Sequence, residues 1–220
     1  MYSPNTLLVD SVHLEFPGRT VLQSAYITST TGRVTGLLGR NGCGKSSLFK
    51  CIMGAVKAQN IFVRLGDERD TDHDHIGQWV KYLPQYSLIP QYMTLGEAFS
   101  LYGVDYDGLV TFDTKFHPFQ RKAPSQLSGG EVRIAETYLI LNSDAQFCIL
   151  DEPFSFIAPN CVEKIKAMIR EKKKTKGIII SDHMYEDIID VTDDLFVMRD
   201  GYTFPVKSRE DLIQNGYILR

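Results

Sequence analysis

Two stretches near the start of the chain, 7–16 and 21–28, alternate apolar with polar residues, and a Pro17-Gly18 pair separates them. A period of two predicts strands with one buried face, and proline followed by glycine predicts the turn between them. Residues 33–38 are instead mostly apolar up to Gly39, the pattern of a strand buried on both sides. Residues 45–54 carry helical spacing and stop at Gly54, which suits the close of a helix. The next clear strands are 147–150 and 177–181, and 160–174 predicts a helix between them with Val162, Ile165, Met168 and Ile169 on one side. Strands that alternate with helices predict a mostly parallel sheet. Residues 87–127 break this rhythm with aromatics, prolines and short helical pieces, so a small insertion on the side of the main body is expected. A strand at 195–198, a turn at Asp200-Gly201 and a short helix at 208–214 finish the chain.

Composition narrows the class. The 220 residues are 43% hydrophobic, enough for one substantial core without disulfides. Lys and Arg number 24 against 27 Asp and Glu, and a net charge of −3 supplies no field for holding nucleic acid, so no nucleic-acid partner is expected. The basic run Lys172, Lys173, Lys174 and Lys176 is read as a solvated helix end, where cations complement the helix dipole. No basic segment followed by an apolar one opens the chain, and nothing approaches the roughly 18 to 20 apolar residues that span a bilayer. A soluble protein is expected, with any membrane role supplied by a partner. Cys43, Cys51, Cys148 and Cys161 form no close pair, which fits a reducing cytoplasm better than a zinc site or a disulfide framework. His73, Asp74 and His75 cluster without an identifiable third ligand and are read as a solvated loop.

Candidate chemistry begins after the buried strand. Gly39, Arg40, Asn41, Gly42, Cys43, Gly44, Lys45 and Ser46, followed by Ser47, fit the G-x-x-x-x-G-K-[ST] pattern between a predicted strand and a predicted helix. Glycines let backbone N–H groups wrap phosphates, the helix N-terminus adds positive dipole, Lys45 reaches the outer phosphates and Ser46 would ligate Mg²⁺. Strand 147–150 then delivers Asp151 at its C-terminal end, where open parallel sheets place ligands. Asp151 would hold the Mg²⁺ shell while the adjacent Glu152 orients the attacking water. The run Leu127-Ser128-Gly129-Gly130-Glu131 precedes a helical stretch and offers a second anion-binding device.

That last run resembles the signature motif of the ATP-binding cassette (ABC) family, and nearly the whole chain, from about residue 12 to 217, can be laid along that family's pattern. The resemblance implies an α/β fold: a P-loop NTPase core with a mostly parallel sheet, an N-terminal antiparallel β subdomain and a small α-helical insertion. It implies one cassette over 1–220, with the core at 1–86 and 140–220 and the helical, signature-bearing part at about 87–139. It implies that Gln85 approaches the metal and the water, that His183 contacts the γ-phosphate and that Phe16 stacks on adenine. The nucleotide would then be held by Phe16, by Gly39 through Ser47, and by Ser128, Gly129 and Gly130 of a second subunit. The catalytic set would be Glu152, His183, Lys45 and Gln85, and the metal set Ser46, Gln85 and Asp151. Expected cofactors are ATP and Mg²⁺. Expected partners are a second cassette, identical or different, and a transmembrane permease subunit that holds the chain at the inner face of the membrane.

Two positions depart from the family pattern. Ser155-Phe156-Ile157-Ala158 replaces Ser-x-Leu-Asp, so Ala158 lacks the carboxylate that links one site to the other, and Glu131 replaces the commoner Gln. Two rival readings stay open at this point. One is a soluble ABC-type ATPase in DNA repair, chromosome organisation or translation, although such proteins carry long coiled-coil insertions or paired cassettes. The other is a non-hydrolysing regulatory cassette, which Glu152 and His183 argue against.

Overall fold

The computed structural model of the chain describes residues 5–70, 75–155 and 157–217. The alternating residues at the start form β1 (Thr6–Phe16) and β2 (Arg19–Thr30), paired antiparallel. Ser11 adopts φ 55° where the β1 register shifts, and this bulge keeps Val9 and Val12, three residues apart, on the same buried face. β3 (Val34–Gly39) is buried throughout and leads to α1 (Lys45–Ile52), which Gly54 closes at φ 69°. β4 (Asn60–Leu65) and β5 (Glu68–Asp70) extend the first sheet, whose order is β2-β1-β4-β5.

A short α2 (Ile76–Trp79) precedes β6 (Val80–Leu83). The insertion follows as α3 (Leu95–Leu101), α4 (Tyr106–Phe112) and two 3-10 segments, Thr114–Phe119 and Pro124–Gln126. α5 (Gly129–Asn142) returns the chain to the sheet. The remainder is β7 (Phe147–Asp151), α6 (Pro159–Lys172), β8 (Gly177–Ser181), α7 (Tyr185–Val191), β9 (Asp194–Arg199), β10 (Tyr202–Val206) and α8 (Arg209–Gln214).

The second sheet has the order β10-β9-β3-β8-β7-β6, parallel except where β10 pairs with β9. It is buried on both faces, which is why its strands read as apolar runs rather than alternations. Leu37, Ile149 and Ile179 face α1 and the first sheet, whereas Leu38, Leu150 and Ile180 face α5, α6 and the insertion. All three of its central strands therefore end at one edge, with the loops after β3, β7 and β8 side by side.

The structure differs from expectation in particular places. β4, β5, α2 and β6 lie in a stretch where no element was predicted, because each is short. Lys176 is not a solvated cation: it is buried, donating to the carbonyls of Ser143 and Ala145, and that burial pushes its ammonium pKa down. Lys173 and Lys174 do behave as surface cations, paired with Asp193 and Glu171. Of the histidine cluster, His73 and Asp74 lie outside the described residues. His75 stacks on Trp79 with ring centroids 6.0 Å apart and sits 3.8 Å from Asp70. Among the described residues no helix is long and apolar enough to cross a membrane.

Candidate nucleotide site

The loop after β3 bends through Gly42 at φ 77° and Gly44 at φ 117°, conformations that side chains with a Cβ adopt only under strain. Gly44 N-caps α1 without any side-chain cap, so the first N–H groups of the helix are left to point at a ligand. Lys45 is 95% buried with its Nζ 2.8 Å from the Gly39 carbonyl, an ammonium held in place over the loop. Gly39 is needed for close packing, since a Cβ there would come within 2.5 Å of Cys43 Sγ and 3.0 Å of the Met198 carbonyl. Burial pushes the Cys43 thiol up, which keeps it protonated beside Lys45.

The cradle opens onto a cleft of about 610 Å³. Phe16, Asn41, Gly42, Gly44, Lys45, Ser46, Ser47, Gln85, Glu152 and His183 line it together, from five separate parts of the chain. Arg19 and Val21, at the start of β2, also line it and were not among the expected residues. Phe16 is half-exposed at the rim, with its ring free to meet a flat partner. Arg40 and Cys43 line a neighbouring depression of about 640 Å³ instead, where Arg40 donates to the Gly216 carbonyl.

The carboxylates at the end of β7 divide their environments. Asp151 is fully buried and accepts from Tyr82 Oη at 3.0 Å and Ser181 Oγ at 2.8 Å. Burial and the Asp151 charge both push the Tyr82 phenol up, so it remains a donor to that carboxylate. Glu152 takes φ 51°, a left-handed conformation that a non-glycine residue adopts at a cost of order 1–3 kcal/mol. Its N–H donates to Ser181 at 2.7 Å, which turns the side chain out of the strand line and into the cleft. Glu152 Oε2 accepts from Gln85 Nε2 at 2.8 Å and from Ser155 Oγ at 3.2 Å. His183 Nδ1 stands 3.9 Å from the same oxygen and 3.3 Å from Asp182 Oδ1.

Residues absent from the sequence reading hold this arrangement. Asp182 is buried and accepts from the N–H groups of Phe154, His183 and Met184, so it fixes the turn that carries His183. Burial outweighs those bonds and pushes the Asp182 carboxyl up. Arg133 on α5 donates to the carbonyls of Pro84, Asp151 and Glu152 at 2.7, 2.6 and 3.1 Å. One turn further along α5, Glu136 Oε1 accepts from Ser87 Oγ and from the N–H groups of Leu88 and Ile89. The segment around Gln85 is thus strapped to α5 on both sides. A charged pair within a helix that is otherwise apolar and buried was the available signal for both residues.

Ser128, Gly129 and Gly130 are at the N-terminus of α5 and do not line the cleft of the cradle. Gly129 borders a separate hollow of about 300 Å³ with Gln85, Arg133 and Ser155. Ser128 N-caps α5 and makes a reciprocal capping box with Glu131. Ala158 N-caps α6 with no side-chain cap.

A buried, largely parallel sheet whose strand ends bring a phosphate loop, an acidic pair and a histidine together defines a nucleoside-triphosphatase. A family model described as ABC transporter matches residues 22–155, more than half of the chain, and the chain belongs to that family as an ATP-binding, ATP-hydrolysing subunit. It is 26% identical over 233 residues to the lipopolysaccharide export system ATP-binding protein LptB of Escherichia coli (strain K12), covering 98% of this chain and 95% of that protein. It is 28% identical over 221 residues to a probable ABC transporter ATP-binding protein of Azorhizobium caulinodans, covering 93% and 78%. Among solved structures, an ATP-binding subunit of an ABC transporter superposes with a TM-score of 0.83 at 20% identity, covering 96% of this chain and 93% of that one. A nucleotide-free ATP-binding cassette gives 0.79 at 21%, covering 97% and 95%. These structures share the expected fold, including the antiparallel N-terminal sheet and the largely parallel core.

Proposed function

We propose that two copies of this chain pair head to tail around two ATP molecules and drive a separate membrane-spanning subunit. Each cradle, Gly39 to Ser47, would hold the phosphates of one ATP while Ser128, Gly129 and Gly130 of the other copy close over it. A single chain carries both halves, which supports a pair of like subunits with two complete sites. Phe16 offers its half-exposed ring to the base, and stacking asks only for a flat face.

Mg²⁺ suits the oxygen donors here: Ser46 and Gln85 line the cleft, and Asp151 ends β7 one residue before Glu152, which lines it too. When bound it would neutralise charge on the β- and γ-phosphates. Lys45 exchanges the Gly39 carbonyl for phosphate oxygens, and Glu152, oriented by Gln85 and Ser155, positions the water for in-line attack. His183, held by the Asp182 turn, donates to the γ-phosphate as charge develops there.

The core of 1–86 and 140–220 would then move against the part at about 87–139. The Arg133 and Glu136 straps would carry that movement to Gln85. Tyr86, Tyr92 and Leu101 are 80%, 85% and 71% exposed on that side and offer an apolar footing for a membrane subunit. Docked there, the chain would sit at the inner face of a membrane and leave cargo choice to its partner. The relatives named as ATP-binding proteins of an export system and of an ABC transporter favour this reading over a soluble repair or translation ATPase.

The observation that carries the proposal is the 2.8 Å contact from Gln85 to Glu152 in the same cleft as Lys45, Ser46 and His183. Glu152→Gln is expected to keep ATP binding and lose turnover by about 10²- to 10⁴-fold in a phosphate-release assay. Hydrolysis at the wild-type rate in that variant would remove Glu152 from its assigned role.

A further inference from the structure

The signature run ends in Glu131, and the structure shows what that carboxylate does. Its Oε2 accepts from the Ser128 N–H at 2.7 Å and from the Ser128 hydroxyl at 2.8 Å. A hydroxyl has one proton to give, and its oxygen also accepts from the Glu131 N–H at 3.4 Å, so in this arrangement Ser128 has no proton left for a phosphate. A glutamine could cap the helix equally well through its oxygen and still leave an amide donor and no charge. Glutamate instead puts a formal negative charge at the helix end that is meant to receive a phosphate.

The opposing charge comes from the insertion. Lys115 Nζ lies 2.5 Å from Glu131 Oε1, the oxygen that Ser128 does not use. The 3-10 segment that bears Lys115 is anchored on several sides. Asp113 accepts from the Lys115 N–H at 3.2 Å and is ion-paired to Lys164 of α6. Phe116 is fully buried, and its carbonyl accepts from Tyr106 Oη at 2.8 Å. Burial pushes the Glu131 carboxyl up, but the bonds from Lys115 and Ser128 overcome it and bring the carboxyl down to about 2. Glu131 is therefore an anion throughout the physiological range.

We propose that Lys115 is a positioning residue for ATP-driven closure: it neutralises Glu131 and draws its charge away from Ser128, so that the signature of this chain can accept a phosphate despite ending in glutamate. The proposal rests on the head-to-tail reading above, in which Ser128 meets a nucleotide held by a second copy. With Lys115 removed, one uncompensated charge faces the triphosphate across several ångströms of partly screened space. That weakens ATP-driven pairing roughly tenfold. Because the effect is electrostatic at an exposed rim, salt shrinks it.

The test is the ATP concentration giving half-maximal dimer, measured by sedimentation velocity in a Glu152→Gln background with Mg²⁺. Lys115→Met is expected to raise it about tenfold at low ionic strength and by much less at 0.5 M salt, whereas Lys115→Arg stays near the parent. Glu131→Gln pairs at least as readily as the parent, and adding Lys115→Met to Glu131→Gln changes nothing further. A Lys115→Met chain that dimerises like its parent overturns the proposal. So does a Lys115→Met defect that persists undiminished beside Glu131→Gln, since that would mark a packing role. If the parent itself stays monomeric at saturating ATP, the head-to-tail reading falls and takes this inference with it.

Discussion

Replacing Arg133 with methionine keeps the length of the side chain and deletes its charge and donors. Three carbonyls, those of Pro84, Asp151 and Glu152, lose their partner in a region that water barely reaches. Glu136, 1% exposed and 3.7 Å from the guanidinium, loses its counter-charge at the same stroke. Breaking a buried pair from one side costs about 3–5 kcal/mol, because the remaining charge is left uncompensated. The two N–H groups and one hydroxyl that donate to Glu136 Oε1 blunt that penalty without removing it. For a domain of this size each kcal/mol moves the melting temperature by about 2–4 °C, so Arg133→Met should melt some 6–20 °C lower. Urea titration provides the assay, with a lower midpoint and an unchanged slope expected. Arg133→Lys keeps the charge but cannot span three carbonyls, and should fall between the two. Turnover should drop further than ATP binding, since the lost donors fix the backbone that carries Glu152. A loss below about 1 kcal/mol would refute the reasoning, showing that the carbonyls find other donors at little cost.

Ala158→Asp supplies the N-cap that α6 lacks and should stabilise the chain by about 1 kcal/mol, read as a rise in melting temperature; an unchanged or lower value would show that the site cannot accept the cap. The Glu131 carboxyl is depressed to about 2 against an ordinary value of 4.5, so its contribution is fully present above pH 4.5 and is lost as pH falls toward 2. Melting curves of the wild type and Glu131→Gln should accordingly differ above pH 4.5 and converge near pH 2, and a gap that widens on acidification would reverse the sign of that account.

Much of the site was legible because its chemistry demands residue types at fixed spacing. Glycines followed by Lys45 and Ser46, an apolar strand ending in Asp151 and Glu152, and Ser128-Gly129-Gly130 at a helix start are patterns that packing alone does not impose. The central strands were legible for a different reason, since burial on both faces leaves no room for polar residues. β4 to β6 escaped because three to six residues are too few to establish a period. Arg133 and Glu136 stand out as charges in a buried helix, but what they hold was out of reach because their partners at 84–89 and 151–152 lie far along the chain, as Phe154 does from Asp182. Lys176 misled for a related reason: it follows surface lysines in sequence, yet two carbonyls fold around it. The strap from α5 to Gln85 is likewise a property of tertiary contact.

The central claim is that each ATP is held by the cradle of one copy and the signature of another. Phosphate release from a mixture of two disabled chains tests it most directly, one carrying Lys45→Ala and the other Ser128→Arg. A head-to-tail pair of the two contains one site in which both halves are intact, so the mixture should recover about a quarter of the wild-type rate while each chain alone stays near background. A mixture no more active than its components would contradict the account and place the whole of the catalytic site within a single copy.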